Sequence, residues 1–402
     1  MALNKIYTPK QLEILKETKK RDWFMLINHG AKRSGKTVLN NDLFLQELIK
    51  VKKQAAKEGI DTPMYILAGV TLTTIYQNIL KELTNKYDIE FKFDKYNNFY
   101  LFGVYIVQVG HGTIAGLGKI RGMTAYGAYI NEASLSNEEV FDEIKSRCSG
   151  NGARILVDTN PDNPEHWLKR DYIDNDDKSI LSYKFSLFDN NFLNDRYRDN
   201  MINTTPTGMF TDRNIYGEWV SGDGVIYQDF DARLHYLKDL PEDFDEYIAG
   251  VDWGYSHYGV IAVIGIKDGI YYLIEEVAEQ FKEIDWWAAA AEEIRQKYRG
   301  ITFYCDSARP EYVARFYSEG LNAYNANKEV LSGIETVAKM YKSSRFFICE
   351  KVKKFREEIH SYIWDKQDKP KKENDDVMDA IRYAIHTHEN NKVEINTFRH
   401  SL

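Results

Sequence analysis

Near its N-terminal end the chain carries Gly30-Ala31-Lys32-Arg33-Ser34-Gly35-Lys36-Thr37. The stretch satisfies G-x-x-x-x-G-K-[ST], directly after a short apolar run at residues 23–28 and at the head of a helix-patterned segment at 36–53. The order of residues has a physical reason. The glycines let backbone N–H groups turn inward as an anion nest, and the helix N-terminus adds its dipole. Lys36 supplies a point charge for β- and γ-phosphates, and Thr37 offers a hydroxyl to Mg²⁺. Gly30, Arg33, Ser34, Gly35, Lys36 and Thr37 are therefore the candidate residues for binding ATP with Mg²⁺.

Outward from the loop, strand-like and helix-like segments alternate. Residues 64–69 repeat the strand signal and 71–83 the helix, and short apolar runs follow at 125–130 and 154–158. Such alternation implies a mostly parallel sheet covered by helices on both faces. The run at 125–130 ends in Asn131-Glu132, where Glu132 either orients an attacking water beside the metal or is a strand-end acid in solvent. The common pattern has Asp at the first of these positions. Asn131 binds a metal's water shell more weakly, which shifts metal load to Thr37. Arg33 is either a finger that reaches the γ-phosphate in cis or a solvated loop arginine. Asp158-Thr159-Asn160-Pro161 closes the next strand as a γ-phosphate sensor or as a turn set by Asn-Pro. Near the N-terminus, Gln11 either reads adenine with its two-sided amide or faces solvent.

Residues 205–241 lose all periodicity around Ser221-Gly222-Asp223-Gly224 and are expected to form a connector between domains at 1–204 and 242–389. Strands are expected at 247–251, 259–266 and 270–277, the last two joined by Lys267-Asp268-Gly269, whose Asp-Gly pair signals a hairpin. A helix at 283–298 and a strand at 301–305 complete a mixed sheet, a second α/β domain. The polar residues 390–402 are expected to be a loosely ordered tail.

Three aspartates in this half stand at element ends: Asp252 after one strand, Asp306 after another, and Asp379 on a late helix with Asp376 three residues before it. Such carboxylates can converge at a sheet edge and hold two divalent metals roughly 4 Å apart for phosphodiester hydrolysis, and oxygen ligands suit Mg²⁺ or Mn²⁺. Each has a plainer reading. Asp306 caps the helix near Pro310, Asp376 complements a helix dipole, and Asp379 pairs with Arg382. Basic residues from Lys351 to Lys372, interleaved with Tyr362 and Trp364, are either a phosphate-backbone track or a solvated face over buried aromatics.

The bulk properties bound these readings. The chain has 402 residues, 43% hydrophobic and 28% charged, which excludes wholesale disorder. No apolar run approaches the ~18 residues of a membrane span. The three cysteines, Cys148, Cys305 and Cys349, share no ligand spacing, so a reduced, cytosolic setting is expected. A net charge of -8 excludes a passive nucleic-acid coat protein.

A phosphate-binding loop and a three-aspartate site in one chain of this size resemble the large subunit of tailed-bacteriophage terminases, in the group typified by phage SPP1 and prophage PBSX. The matching pieces are the 30–37 loop, the strand ending at Glu132, Thr159-Asn160-Pro161, Tyr216-Gly217-Glu218-Trp219-Val220 with Gly224-Val225-Ile226-Tyr227, and Asp252, Asp306 and Asp379. The resemblance implies an N-terminal P-loop NTPase domain of the ASCE type and a C-terminal RNase H-like nuclease domain. It implies a motor that pumps double-stranded DNA into a procapsid and cuts concatemeric DNA. The implied partners are a small terminase subunit, the portal protein and further copies of the chain in a ring, with no membrane. The implied location is the host cytoplasm, transiently at the portal vertex and not in the mature virion.

Overall fold

The apolar run at 23–28 becomes β1 (Met25–Gly30), every residue of which is buried. The computed structural model describes residues 5–399. Six further strands join β1 in one sheet: β2 (Met64–Gly69), β3 (Phe99–Leu101), β4 (Val104–Gly110), β5 (Gly127–Asn131), β6 (Arg154–Thr159) and β7 (Ile180–Phe185). Their order is β3-β4-β2-β5-β6-β1-β7. All pairings are parallel except β3 with β4. Alternate residues feed opposite cores. Leu26, Leu67, Tyr129 and Leu156 pack on one face, and Met25, Ile27, Ile66, Ile130 and Val157 on the other. A sheet buried on both sides needs near-continuous apolar strands, which is what made these segments readable. Strand β6 lies between β1 and β5, as expected for the ASCE arrangement.

The second sheet has the order β13-β12-β9-β10-β11-β14-β8. Its strands are β8 (Tyr236–Leu237), β9 (Glu246–Asp252), β10 (Gly259–Lys267), β11 (Ile270–Glu279), β12 (Thr302–Cys305), β13 (Ala323–Asn325) and β14 (Phe346–Cys349). Strands β9, β10 and β11 run antiparallel, and β12 joins β9 in parallel. The predicted hairpin turn forms with Asp268 and Gly269 both at positive φ, 51° and 75°. Asp and Gly tolerate that conformation, and its twist matches the flanking strands. The helix Asp376–Arg399 lies against β9 at close range. A Cβ on Gly250 would sit 1.7 Å from the Ala380 carbonyl oxygen, so only glycine admits the helix there.

Several expectations change. The segment at 71–83 is not one α-helix, because Leu72–Ile75 passes into a π-turn at Tyr76–Leu80 before helix Lys81–Tyr87. The helix Asp376–Arg399 runs through the stretch expected to be a loose tail, and residues 400–402 lie outside the described residues. The chain divides into one unit of residues 1–199 with 211–220 and another of 200–210 with 221–402. The segment expected as a connector is thus shared between the units. Among the described residues no helix is long and apolar enough to cross a membrane.

Candidate nucleotide and acidic sites

The 30–37 loop links β1 to the helix Lys36–Lys57. Gly30 (φ 133°) passes so close to β7 that a Cβ would lie 1.9 Å from the Phe185 carbonyl oxygen, and Gly35 at the helix start has φ 94°. Arg33 also adopts a left-handed backbone (φ 58°), and the Asn190 side chain holds its carbonyl at 2.7 Å. The loop forms one wall of a cleft of about 620 Å³ that Thr37, Asn78, Asn131, Glu132, Asp158 and Asn160 also line. Lys36 is 6% exposed. Its ammonium donates to the Gly30 and Ala31 carbonyls at 2.9 and 2.6 Å and to Asn160 Oδ1 at 3.2 Å. Burial lowers its pKa to about 8, against the opposing pull of Asp158 and Glu132.

Glu132 follows β5 in a left-handed conformation (φ 57°), uncommon for a residue with a side chain. Burial and Asp158 raise its carboxyl, while Lys36 and Lys32 pull it down. Asn131 is buried between Asn78 Nδ2, which donates to its Oδ1 at 3.0 Å, and Asp158 Oδ1, which accepts from its Nδ2 at 2.6 Å. The π-turn aims Asn78 here, a use often found for such turns. Thr159 Oγ1 accepts from the Ser134 N–H at 2.9 Å. With Asn160 on Lys36, the Asp158–Thr159–Asn160 edge belongs to the cleft and is more than a turn. The donor set, a hydroxyl at Thr37 beside a neutral amide at Asn131 and carboxylates at Glu132 and Asp158, fits a hydrated Mg²⁺ on a triphosphate.

Gln11 does not present its amide to the cleft for reading adenine. It is 2% exposed, its Oε1 accepts from the Thr8 N–H at 2.8 Å, and its Nε2 donates to the Gly35 carbonyl at 2.8 Å. The Thr8–Gln11 capping box therefore ends as a brace on the loop. Gly217 and Trp219 buttress the loop from the other side. A Cβ on Gly217 would lie 2.9 Å from Ala31 N, and Trp219 Nε1 donates to His29 Nδ1 at 3.1 Å.

In the second unit the register Cys305↔Val251 places Asp306 level with Asp252, and the Asp306 N–H donates to the Val251 carbonyl at 2.9 Å. The close contact at Gly250 sets the helix that carries Asp379 over the same edge. Asp252 is pushed well above the usual carboxylate range by burial and by the charges of Asp379, Asp306, Asp376 and Asp375. The acids thus crowd one another, and Asp252 is the one whose charge is disfavoured. Among the described residues, however, no three His, Cys, Asp or Glu side chains converge closely enough to hold a metal ion. Asp306 is ion-paired with Lys328, Asp379 meets Arg382 at 2.9 Å, and Asp376 meets His257 at 3.1 Å. Carboxylate donors suit Mg²⁺ or Mn²⁺, but here Asp306 and Asp379 rest on the chain's own cations and Asp376 on the His257 ring. Sequence reasoning found the Arg382 partner and missed Lys328 and His257, which no local pattern marks. Tyr362 and Trp364 are 1% and 7% exposed, so they do not interleave with the lysines as stacking platforms.

A nucleotide cleft on a parallel ASCE-type sheet and an acidic edge on an RNase H-like mixed sheet define a two-domain class that joins phosphate chemistry to a nuclease-type fold. The family described as "Terminase large subunit, T4likevirus-type, N-terminal" matches residues 28–233, and "Terminase RNaseH-like domain" matches residues 249–388. The chain belongs to the terminase large-subunit family of tailed phages. Among solved structures, the large terminase of a thermophilic bacteriophage is similar at a TM-score of 0.81 and 23% identity, covering 94% of this chain and 98% of that one. The same thermophilic-phage protein in complex with ATP-gamma-S gives a TM-score of 0.79 at 23% identity, covering 95% of this chain and 99% of that one. No curated protein sequence matches.

Proposed function

We propose that this chain is the motor and nuclease of a DNA-packaging machine: it hydrolyses ATP to drive double-stranded DNA into a procapsid and cuts concatemeric DNA with divalent metals. What supports this is the presence, in one terminase-family chain, of a built phosphate loop facing Glu132 and of Asp252, Asp306 and Asp379 on one sheet edge. Lys36 would exchange its carbonyl partners for the β- and γ-phosphates, Thr37 would hold the metal, and Glu132 would take a proton from the attacking water. Arg33, at the tip of the loop, neutralises charge on the transferring phosphoryl group. When bound, Mg²⁺ would supply charge neutralisation at the phosphates. At the second site Asp252, Asp306 and Asp379, with Asp376, would hold two Mg²⁺ or Mn²⁺ ions, whose contribution is to activate water and stabilise the leaving 3′-oxygen. Lys328 and Arg382, which now pair with Asp306 and Asp379, would have to give up those carboxylates for them to serve as ligands. The partners are a small terminase subunit, the portal protein and further copies of the chain in a ring, in the host cytoplasm at the portal vertex.

Lys36→Ala is expected to lower ATP turnover by more than about 100-fold while Mn²⁺-dependent nicking of plasmid DNA persists, and Asp252→Ala to do the reverse. Loss of both activities together in folded variants would break the two-site division. A second reading, an ATP-driven translocase that binds DNA without cutting, draws on the ion pairs that occupy Asp306 and Asp379. Absence of cleavage by the intact protein at every Mn²⁺ concentration would select it.

A further inference from the structure

Strand β5 ends at Asn131, without the acid usual before Glu132, and its neighbour carries one. Asp158, near the end of β6, is 1% exposed and pairs in register with Asn131. Its Oδ1 accepts from Asn131 Nδ2 at 2.6 Å and from the Glu132 backbone N–H at 3.2 Å, and its Oδ2 accepts from the Tyr129 hydroxyl at 2.7 Å. All three donors are neutral. The nearby cation, Lys36, directs its protons to Gly30, Ala31, Ser34 and Asn160. A carboxylate buried so deeply is costly, and neutral donors offset only part of that cost. Its placement explains the expense. Asp158 lines the nucleotide cleft, polarises the one amide that stands where a metal-facing acid is usual, and ties down the backbone of a residue in a left-handed conformation.

We propose that Asp158 is the displaced carboxylate of the nucleotide site: through Asn131 it presents negative charge to the metal's water shell, and through the Glu132 N–H it fixes the water-activating side chain. Asp158 is a positioning residue in this scheme, and the inference rests on the nucleotide-hydrolysing reading above. The geometry suggests its own control. In the double variant Asn131→Asp/Asp158→Asn, the bond between the two strands survives with donor and acceptor exchanged, because the new amide at 158 donates where the carboxylate accepted and the new carboxylate at 131 accepts where the amide donated. Asn78 can still donate to residue 131 and the Tyr129 hydroxyl to residue 158. Only the weaker bond from Glu132 N–H is lost.

The test compares the wild type, Asp158→Asn and the double variant, all as full-length protein. Affinity for a fluorescent methylanthraniloyl-ATP is measured with Mg²⁺ and with EDTA, ATP turnover is measured alongside, and thermal melts check folding. Asp158→Asn is expected to keep the metal-free affinity and to lose roughly tenfold of the tightening that Mg²⁺ gives, with a similar fall in turnover. The double variant should recover most of the Mg²⁺-dependent tightening and only part of the turnover. Wild-type metal dependence and turnover in Asp158→Asn would overturn the inference, as would a folded double variant no better than Asp158→Asn. Failure of the wild type itself to bind or hydrolyse ATP would instead overturn the reading on which the inference rests.

Discussion

At the nucleotide cleft a cation is buried among neutral acceptors, and at the edge of the second sheet carboxylates are buried among cations. Lys36 rests on the Gly30 and Ala31 carbonyls, while Asp306 and Asp379 rest on Lys328 and Arg382. In both places the chain supplies counter-groups from its own residues, but from different distances. The carbonyls that hold Lys36 are close neighbours in sequence, so one turn of backbone builds the heart of the site, with Asn160 and Gln11 added from elsewhere. The acids come from two strand ends and a helix and Lys328 from a loop, with only Arg382 on the same helix as its acid, so their arrangement depends on packing across the sheet. A contiguous site tolerates changes elsewhere in the fold, whereas a dispersed one inherits every packing error.

That contrast can be broken most severely at Gly250. Gly250→Val would force the helix carrying Asp379 away from β9, with an expected loss of about 1–3 kcal/mol of stability and of nicking activity. Denaturant unfolding and plasmid cleavage read these effects, and ATP binding should persist. Persistence of nicking would show that the acidic site does not need this packing. At the cleft, Gln11→Ala removes the buried brace on Gly35 and is expected to weaken ATP binding by about 1 kcal/mol, roughly fivefold. Calorimetric titration measures it, and a selective loss of ATP over GTP affinity would restore a base-reading role. Lys328→Met should raise the Mn²⁺ affinity of the acidic edge several-fold, because Asp306 loses its internal counter-charge. A fall in affinity would show that Lys328 assists the metal site.

The smallest effect is protonic. With a pKa of about 8, Lys36 is about half charged at pH 8, and phosphates entering the cleft favour its charged form. ATP binding should therefore take up roughly half a proton at pH 8 and almost none at pH 6.5, with affinity falling as pH rises above 8. Titrations in buffers of different ionisation enthalpy measure the uptake, and Lys36→Met should abolish it.

How much of this was legible depended on locality. Strands β1, β2, β5 and β6 are short apolar runs buried on both faces, and the hairpin at Asp268-Gly269 carries its own turn signal, so periodicity sufficed. Strands β3, β4 and β7 were not read, nor were the short β8, β13 and β14. In β3 and β7, Tyr100, Tyr183 and Lys184 break the apolar pattern, and β3 is a three-residue edge. The loop residues could be placed from the motif alone. The roles of Asn78, Lys328 and Gln11 could not, since each is set by a neighbour distant in sequence and not by residue type. Asp158 was visible as a strand-end polar residue, but its bond to Asn131 required the strand order in which β6 sits beside β5.

The π-turn at Tyr76–Leu80 also acts on phase. Each residue of a helix advances its direction by about 100°, so one surplus residue rotates everything on one side relative to the other. The turn thus resets the phase between Ile75 before it and Leu83 after it, both in the core, while Asn78 within it reaches Asn131. A single-residue deletion here would leave a perfectly good helix whose amide points elsewhere. In this segment the count of residues carries as much information as their identity.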